Sequence, residues 1–147
     1  MEDSNDKKAI IYCRAANVFQ IQETDALHER EQLCRDYADQ HDYNVAEVFI
    51  DQGVSGSLEN QGIQTMLDFL KASHEEIIVI VASIDQLAQN FIEYKKIRNA
   101  IQAAGGKLES PSFTFDDTPE SNLMENVLLA RAELEERLEQ QEEASAP

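Results

Sequence analysis

The chain reads as a layered α/β domain built on a parallel sheet and followed by one long helix. Three observations predict this. Strand-like and helix-like segments alternate from residue 7 to about residue 109. The strongest apolar run, "EIIVIVAS" (76–83), is β-branched and unalternating, as in a strand covered on both faces. From Pro119 onward, apolar residues recur at spacings of three and four toward residue 141. With 147 residues, 42% of them hydrophobic, the expected organisation is one domain over 1–147, with 1–6 and 141–147 disordered.

"KKAIIYC" (7–13) opens the chain as a buried strand. In "ETDALHEREQLCRDYADQHDY", Leu27, Cys34, Tyr37 and Ala38 share one helical face, and Thr24 or Asp25 can cap the helix. "NVAEVFID" (44–51) is a second strand that runs into the glycine-rich "DQGVSGS". "GIQTMLDFL" places Ile63, Met66, Leu67 and Leu70 on one helical stripe. After the strand at 76–83, "FIEYKKIRNAIQAAGG" is a helix that Gly105 and Gly106 are placed to end, and "GKLES" is a short fourth strand. Alternation of this kind implies right-handed crossovers. The last helix, about 119–141, starts with Thr118 as N-cap and Pro119 in its first turn. Its stripe of Leu123, Val127, Ala130, Leu134 and Leu138 suits packing against the domain or against a partner helix.

The formal charge is −17, from 12 basic and 29 acidic residues. Proteins that grip nucleic acid neutralise phosphates with lysine and arginine, so this balance argues for weak or no DNA binding. No run approaches the roughly 18 to 20 apolar residues of a membrane span, and the acidic start is unlike a signal peptide. Cys13 and Cys34 suggest reduced thiols rather than a disulfide framework, and the expected location is cytoplasmic. His28, His41 and His74 lack metal-ligand spacing and read as surface residues; no metal or cofactor is expected. Ser55 and Ser57 read as turn-shaping residues, and Ser83 as a strand-end residue with no base near it in sequence. Asp51 and Asp85 read as caps of the turns that follow them, or as partners of Arg14, ahead of paired acid–base carboxylates.

Four stretches, "YCRAAN", "DQGVSGS", "ASIDQLAQN" and the start of the last helix, fall at or beyond strand C-termini, where open α/β sheets bind ligands. Together with "LCRDYA", "LENQGIQTML", "GGKLESP" and "FDDTPESNLMEN", in order and spacing, they resemble the catalytic domain of the serine recombinases, the resolvase and invertase group. The resemblance covers about residues 8 to 138. It implies a three-layer domain with a central, mostly parallel sheet of four to five strands, followed by the long helix.

In that family a serine two residues after the first strand's arginine attacks a DNA phosphodiester, and arginines surround the phosphate as it gains charge. Here Arg14 matches the first arginine, but the nucleophile position is Ala16. Gln20 and Asp85 also match. Gln61 stands where an arginine is expected after "GVSGSLEN", and Gln86 and Gln89 replace two more. The family's glutamate–arginine pair in the last helix looks like Glu135 and Glu136, with Arg137 one place away. A phosphoryl-directed arginine can be worth about 10³ to 10⁵ in rate, so the resemblance implies a relic site without cleavage.

The family forms dimers and tetramers through its long helix, and nothing here resembles a helix-turn-helix or zinc module. The leading expectation is an inactive relative that acts through protein contacts, as a homodimer or higher oligomer or in mixed oligomers with an active recombinase. Leu123, Met124, Val127, Leu128, Leu134 and Leu138 supply the apolar surface. Two alternatives stand beside it: a small anion or nucleotide bound by Arg14, Gln86 and Gln89 in the old cleft, and an acidic surface that mimics DNA.

Overall fold

The computed structural model describes residues 7–15 and 21–145. Four strands, β1 (Lys7–Ala15), β2 (Tyr43–Gln52), β3 (Ile77–Ile80) and β4 (Gly106–Glu109), form one sheet in the order β2-β1-β3-β4. Every pairing is parallel. The helices are α1 (Ile21–Gln40), α2 (Gln61–Ala72), α3 (Phe91–Ala103) and α4 (Pro119–Ser145).

Two apolar clusters make the three layers. On one face Ala9, Ile11, Cys13, Ile78 and Ile80 meet Leu27, Cys34 and Ala38 of α1. On the other, Ile10, Tyr12, Ile77 and Val79 meet Ile63, Met66, Leu67 and Leu70 of α2 and Tyr94, Ile97 and Ile101 of α3. Alternate β1 residues therefore serve opposite cores, which is why "AIIYC" shows no polar alternation. Cys13 and Cys34 are free, buried thiols, and burial pushes each up to about 12.

Several boundaries differ from the sequence-based expectation. Helix α1 begins at Ile21, so Thr24 and Asp25 lie within it and do not cap it. Gly105 takes the left-handed conformation, with φ 94°, but Gly106 already belongs to β4. Helix α4 runs to Ser145, past the expected end near 141, because its Glu- and Gln-rich tail has good helix propensity. The other expected disordered segment, 1–6, lies outside the described residues. Thr118 does cap α4: its Oγ1 accepts the Ser121 N–H at 3.1 Å.

The stripe chosen for α4 faces solvent. Leu123, Met124, Val127, Leu134 and Leu138 are each at least 50% exposed. The face that packs on the domain instead carries Glu125, Leu129 and Ala132, all buried. Leu128 is half-buried against the α2–α3 core, so it does not share the outward surface assigned to it. No helix among the described residues is long and apolar enough to cross a membrane.

Candidate functional site

With β2 and β3 on opposite sides of β1, the C-terminal ends of β1 and β3 flank the point where the strand order reverses. Sheets of this type leave a crevice there. Arg14 is the penultimate residue of β1, and the 3-10 turn Ile84–Gln86 follows β3.

Arg14 is only 5% exposed, and its guanidinium is occupied from three directions. Nε donates to the Gln86 carbonyl at 3.2 Å, Nη1 to the Val54 carbonyl at 3.3 Å and Nη2 to the Asp85 carbonyl at 2.8 Å. Gln86, 4% exposed, closes the arrangement by accepting the Arg14 backbone N–H on Oε1 at 2.9 Å. No carboxylate pairs with Arg14 among the described residues, and a buried cation persists when its donors are satisfied, as these carbonyl dipoles do here. The Arg14 carbonyl in turn accepts from Arg30 Nη1 at 3.1 Å.

The glycine-rich segment is held against the same turn. A Cβ on Gly56 would stand 2.4 Å from both the Ala88 Cα and the Leu87 carbonyl oxygen, so only glycine permits this approach. Ser55 and Ser57 work inside the segment: the Ser55 carbonyl accepts Asn60 Nδ2, and Ser57 Oγ accepts the Glu59 N–H. Ser83 donates its hydroxyl to Asp85 Oδ1.

Asp51 is buried and does not pair with Asp85. It accepts the Tyr12 hydroxyl at 2.6 Å on Oδ2 and the Gly62 N–H at 2.7 Å on Oδ1. The second bond satisfies an otherwise unpartnered donor in the first turn of α2. Burial, followed by the Asp51 carboxylate, pushes the Tyr12 phenol far above its ordinary range, so it remains a donor. This network is structural.

Arg14, Asp85 and Gln86 are thus brought together, with Asp85 contributing its backbone rather than its carboxylate. Gln61 is exposed at the head of α2, and Gln89 is half-buried. On α4, Glu135 is exposed and stands 3.8 Å from Arg131, Glu136 is half-buried, and Arg137 pairs with Glu133 at 2.6 Å. Among the described residues, no hydrogen bond or ion pair joins Arg14 to Gln61, Gln89, Glu135 or Glu136. Ala16 and Gln20 lie outside the described residues. His28, His41 and His74 are all exposed, and no cluster of metal-ligating type occurs among the described residues.

Sequence reasoning missed Glu125, which is 2% exposed on α4. Its Oε2 accepts the Tyr94 hydroxyl at 2.5 Å and faces Arg98 Nε at 3.1 Å, which ties α4 to α3. The available signal was its i+4 and i+7 spacing to Leu129 and Ala132, obscured by the stronger leucine stripe opposite.

Residues 9–146 match the family described as "Resolvase, N terminal domain". The chain belongs to that family. It is 30% identical over 98 residues to the Transposon Tn501 resolvase of Pseudomonas aeruginosa, covering 64% of this chain and 51% of the relative. It is 31% identical over the same length to the Transposons Tn1721 resolvase of Escherichia coli. The chain thus spans about half the length of these curated relatives. In fold it is similar to the N-terminal catalytic domain of TP901-1 integrase, with a TM-score of 0.68, 23% identity and coverage of 90% and 99% of the two chains. It is also similar to a resolvase family site-specific recombinase from Streptococcus pneumoniae, with a TM-score of 0.64, 22% identity and coverage of 94% and 95%. The resolvase-like parallel sheet with a long C-terminal helix agrees with the fold expected from sequence.

Proposed function

We propose that this resolvase-family domain is catalytically silent and acts through protein–protein contacts made by the outward face of α4. The observation that carries the first half is the state of Arg14. Three of its guanidinium nitrogens point to backbone carbonyls of its own chain, and the side chain on which the neighbouring turn closes is the neutral Gln86. Phosphoryl transfer needs cationic donors aimed at a phosphate whose charge grows in the transition state. An arginine held this way serves the fold. With alanine at the nucleophile position and glutamine at 61, 86 and 89, the crevice supplies neither attacking oxygen nor the expected positive charge. The same geometry counts against the small-anion reading.

The second half rests on exposure. Leu123 at 66%, Val127 at 52%, Leu134 at 53% and Leu138 at 50% lie on one side of a 27-residue helix whose other side is buried at Glu125, Leu129 and Ala132. An apolar stripe of this length suits a second helix, from another copy of the chain or from an active recombinase. Two measurements test the proposal. Incubation with supercoiled plasmid is expected to give neither nicking nor covalent attachment to a strand end, and either product overturns the silent assignment. Sedimentation of the protein, alone and mixed with a resolvase, is expected to show a complex that Leu134→Ser with Leu138→Ser dissociates. A monomer in every mixture overturns the contact assignment.

A further inference from the structure

A second chemical cluster lies on the α1 side of the sheet, at the edge strand β4. The Tyr37 and Tyr43 hydroxyls both donate to Glu109 Oε1, each at 2.8 Å. His41 stacks on Tyr37, with ring centroids 4.1 Å apart, and lies over Tyr43 at 5.5 Å. Its Nδ1 is 2.9 Å from the Tyr37 carbonyl, which fixes the ring. These residues, with Lys107, Phe113 and Phe115, line a groove of about 400 Å³. None of them takes part in the Arg14 arrangement or in the face of α4.

The cluster is built asymmetrically. Both phenols converge on one carboxylate oxygen, while Oε2 accepts no hydrogen bond among the described residues. The Glu109 side chain is 15% exposed, so the carboxylate is held mostly inside the groove. Among the described residues, the half-exposed Lys107 ammonium forms an ion pair with Oε2 at 3.7 Å, longer than a hydrogen bond. Burial, and then the Glu109 carboxylate, push the Tyr43 phenol up to about 12 and Tyr37 higher still, so both remain donors near neutral pH.

We infer that this groove binds a guanidinium group, with Glu109 Oε2 as its counter-charge and the Tyr37, His41 and Tyr43 rings as its stacking wall. A guanidinium presents N–H donors at its edge and a flat face that stacks on aromatic rings, so it meets both parts of the cluster at once. An ammonium meets only the carboxylate, as the protein's own Lys107 does in a 3.7 Å ion pair that an incoming guanidinium would displace. The charge of −17 favours the approach of cations to the protein as a whole. The group has two sources, a free arginine-type small molecule or an arginine on a partner's exposed segment.

The chain has no tryptophan, and Tyr12 and Tyr94 are fully buried out of a ligand's reach, so a change in tyrosine fluorescence on titration reports chiefly on Tyr37 and Tyr43. Titration with L-arginine amide and with acetyl-Gly-Arg-Gly-amide, each against its lysine counterpart, is expected to give saturable fluorescence change and shifts of the His41 ring protons, with arginine preferred. Tighter binding of the tripeptide assigns the site to a partner segment; equal binding assigns it to a small molecule. Glu109→Gln retains an acceptor for the tyrosines and is expected to weaken binding about tenfold or more through loss of the charge-assisted bond. Lys107→Ala, which removes the competing cation, is expected to strengthen it. No saturable response, equal binding by the Glu109→Gln protein, or equal response to arginine and lysine overturns the inference. None of these outcomes bears on α4.

Discussion

The inward and outward faces of α4 are made of opposite materials. Inward, the helix buries a carboxylate, Glu125, beside Leu129 and Ala132. Outward, it exposes Leu123, Met124, Val127, Leu134 and Leu138. Ranked by hydrophobicity alone, the helix would be turned around. The difference teaches that a charge enters the interior when partners await it, here the Tyr94 hydroxyl and Arg98 guanidinium of α3. An apolar stripe stays outside when the folded chain offers it no surface.

Substitutions on α4 can break or sharpen this contrast. The largest expected effect is Leu129→Ala, which should cost about 3 kcal/mol in denaturant unfolding because the side chain is fully buried and leaves a cavity. A cost no greater than that of Leu134→Ala would mean the two faces are equivalent. Next comes Glu125→Ala, expected to cost about 2 to 3 kcal/mol. That lies below the full penalty for a broken buried pair because the Arg98 side chain is 32% exposed and can turn to water. Glu125→Gln should recover part of the loss through the Tyr94 bond.

Thr118→Ala should cost about 1 kcal/mol by removing the N-cap of α4. The same hydroxyl, with the Thr118 N–H, holds the Asp116 carboxyl below its ordinary range. A carboxyl with a depressed folded pKa contributes stability at neutral pH that fades as the pH falls through its folded value. The difference between wild type and Thr118→Ala, followed by thermal unfolding against pH, should therefore narrow in acid. The smallest effect on folding is expected from Leu134→Ser with Leu138→Ser, within about 0.5 kcal/mol per site, as for exposed positions elsewhere. Solution mass is where that pair should act. A double variant that loses several kcal/mol while its mass stays unchanged would place the stripe within the fold rather than at an interface.

The layered architecture was legible in the chain because strands buried on both faces advertise themselves as unbroken apolar runs. Ile77 to Ile80 are all buried, as that reading requires. Helix α2 was equally plain: Ile63, Met66, Leu67 and Leu70 form its buried face. The crevice was legible through motif spacing at Arg14, Asp85 and Gln86. The bonding within it was not, because carbonyls carry no sequence signal and every residue has one. Asp51 looked like the cap of the turn that follows it or a partner of Arg14, but its carboxylate instead accepts from Tyr12 and from Gly62 in the first turn of α2. The Glu109 groove was invisible in sequence. It gathers Tyr37, Tyr43 and Glu109 across separations of 66 and 72 residues, which no local pattern encodes.

What the sequence determined alone was the set of elements and the residue types that stand at the ends of β1 and β3, since periodicity and residue type are local properties of the chain. Only the tertiary structure decided which side of α4 turns inward, what satisfies Arg14 and where Glu109 finds its tyrosines. The physical reason is that satisfying a buried charge requires partners from distant segments, and those meet only when the sheet has brought its strands together.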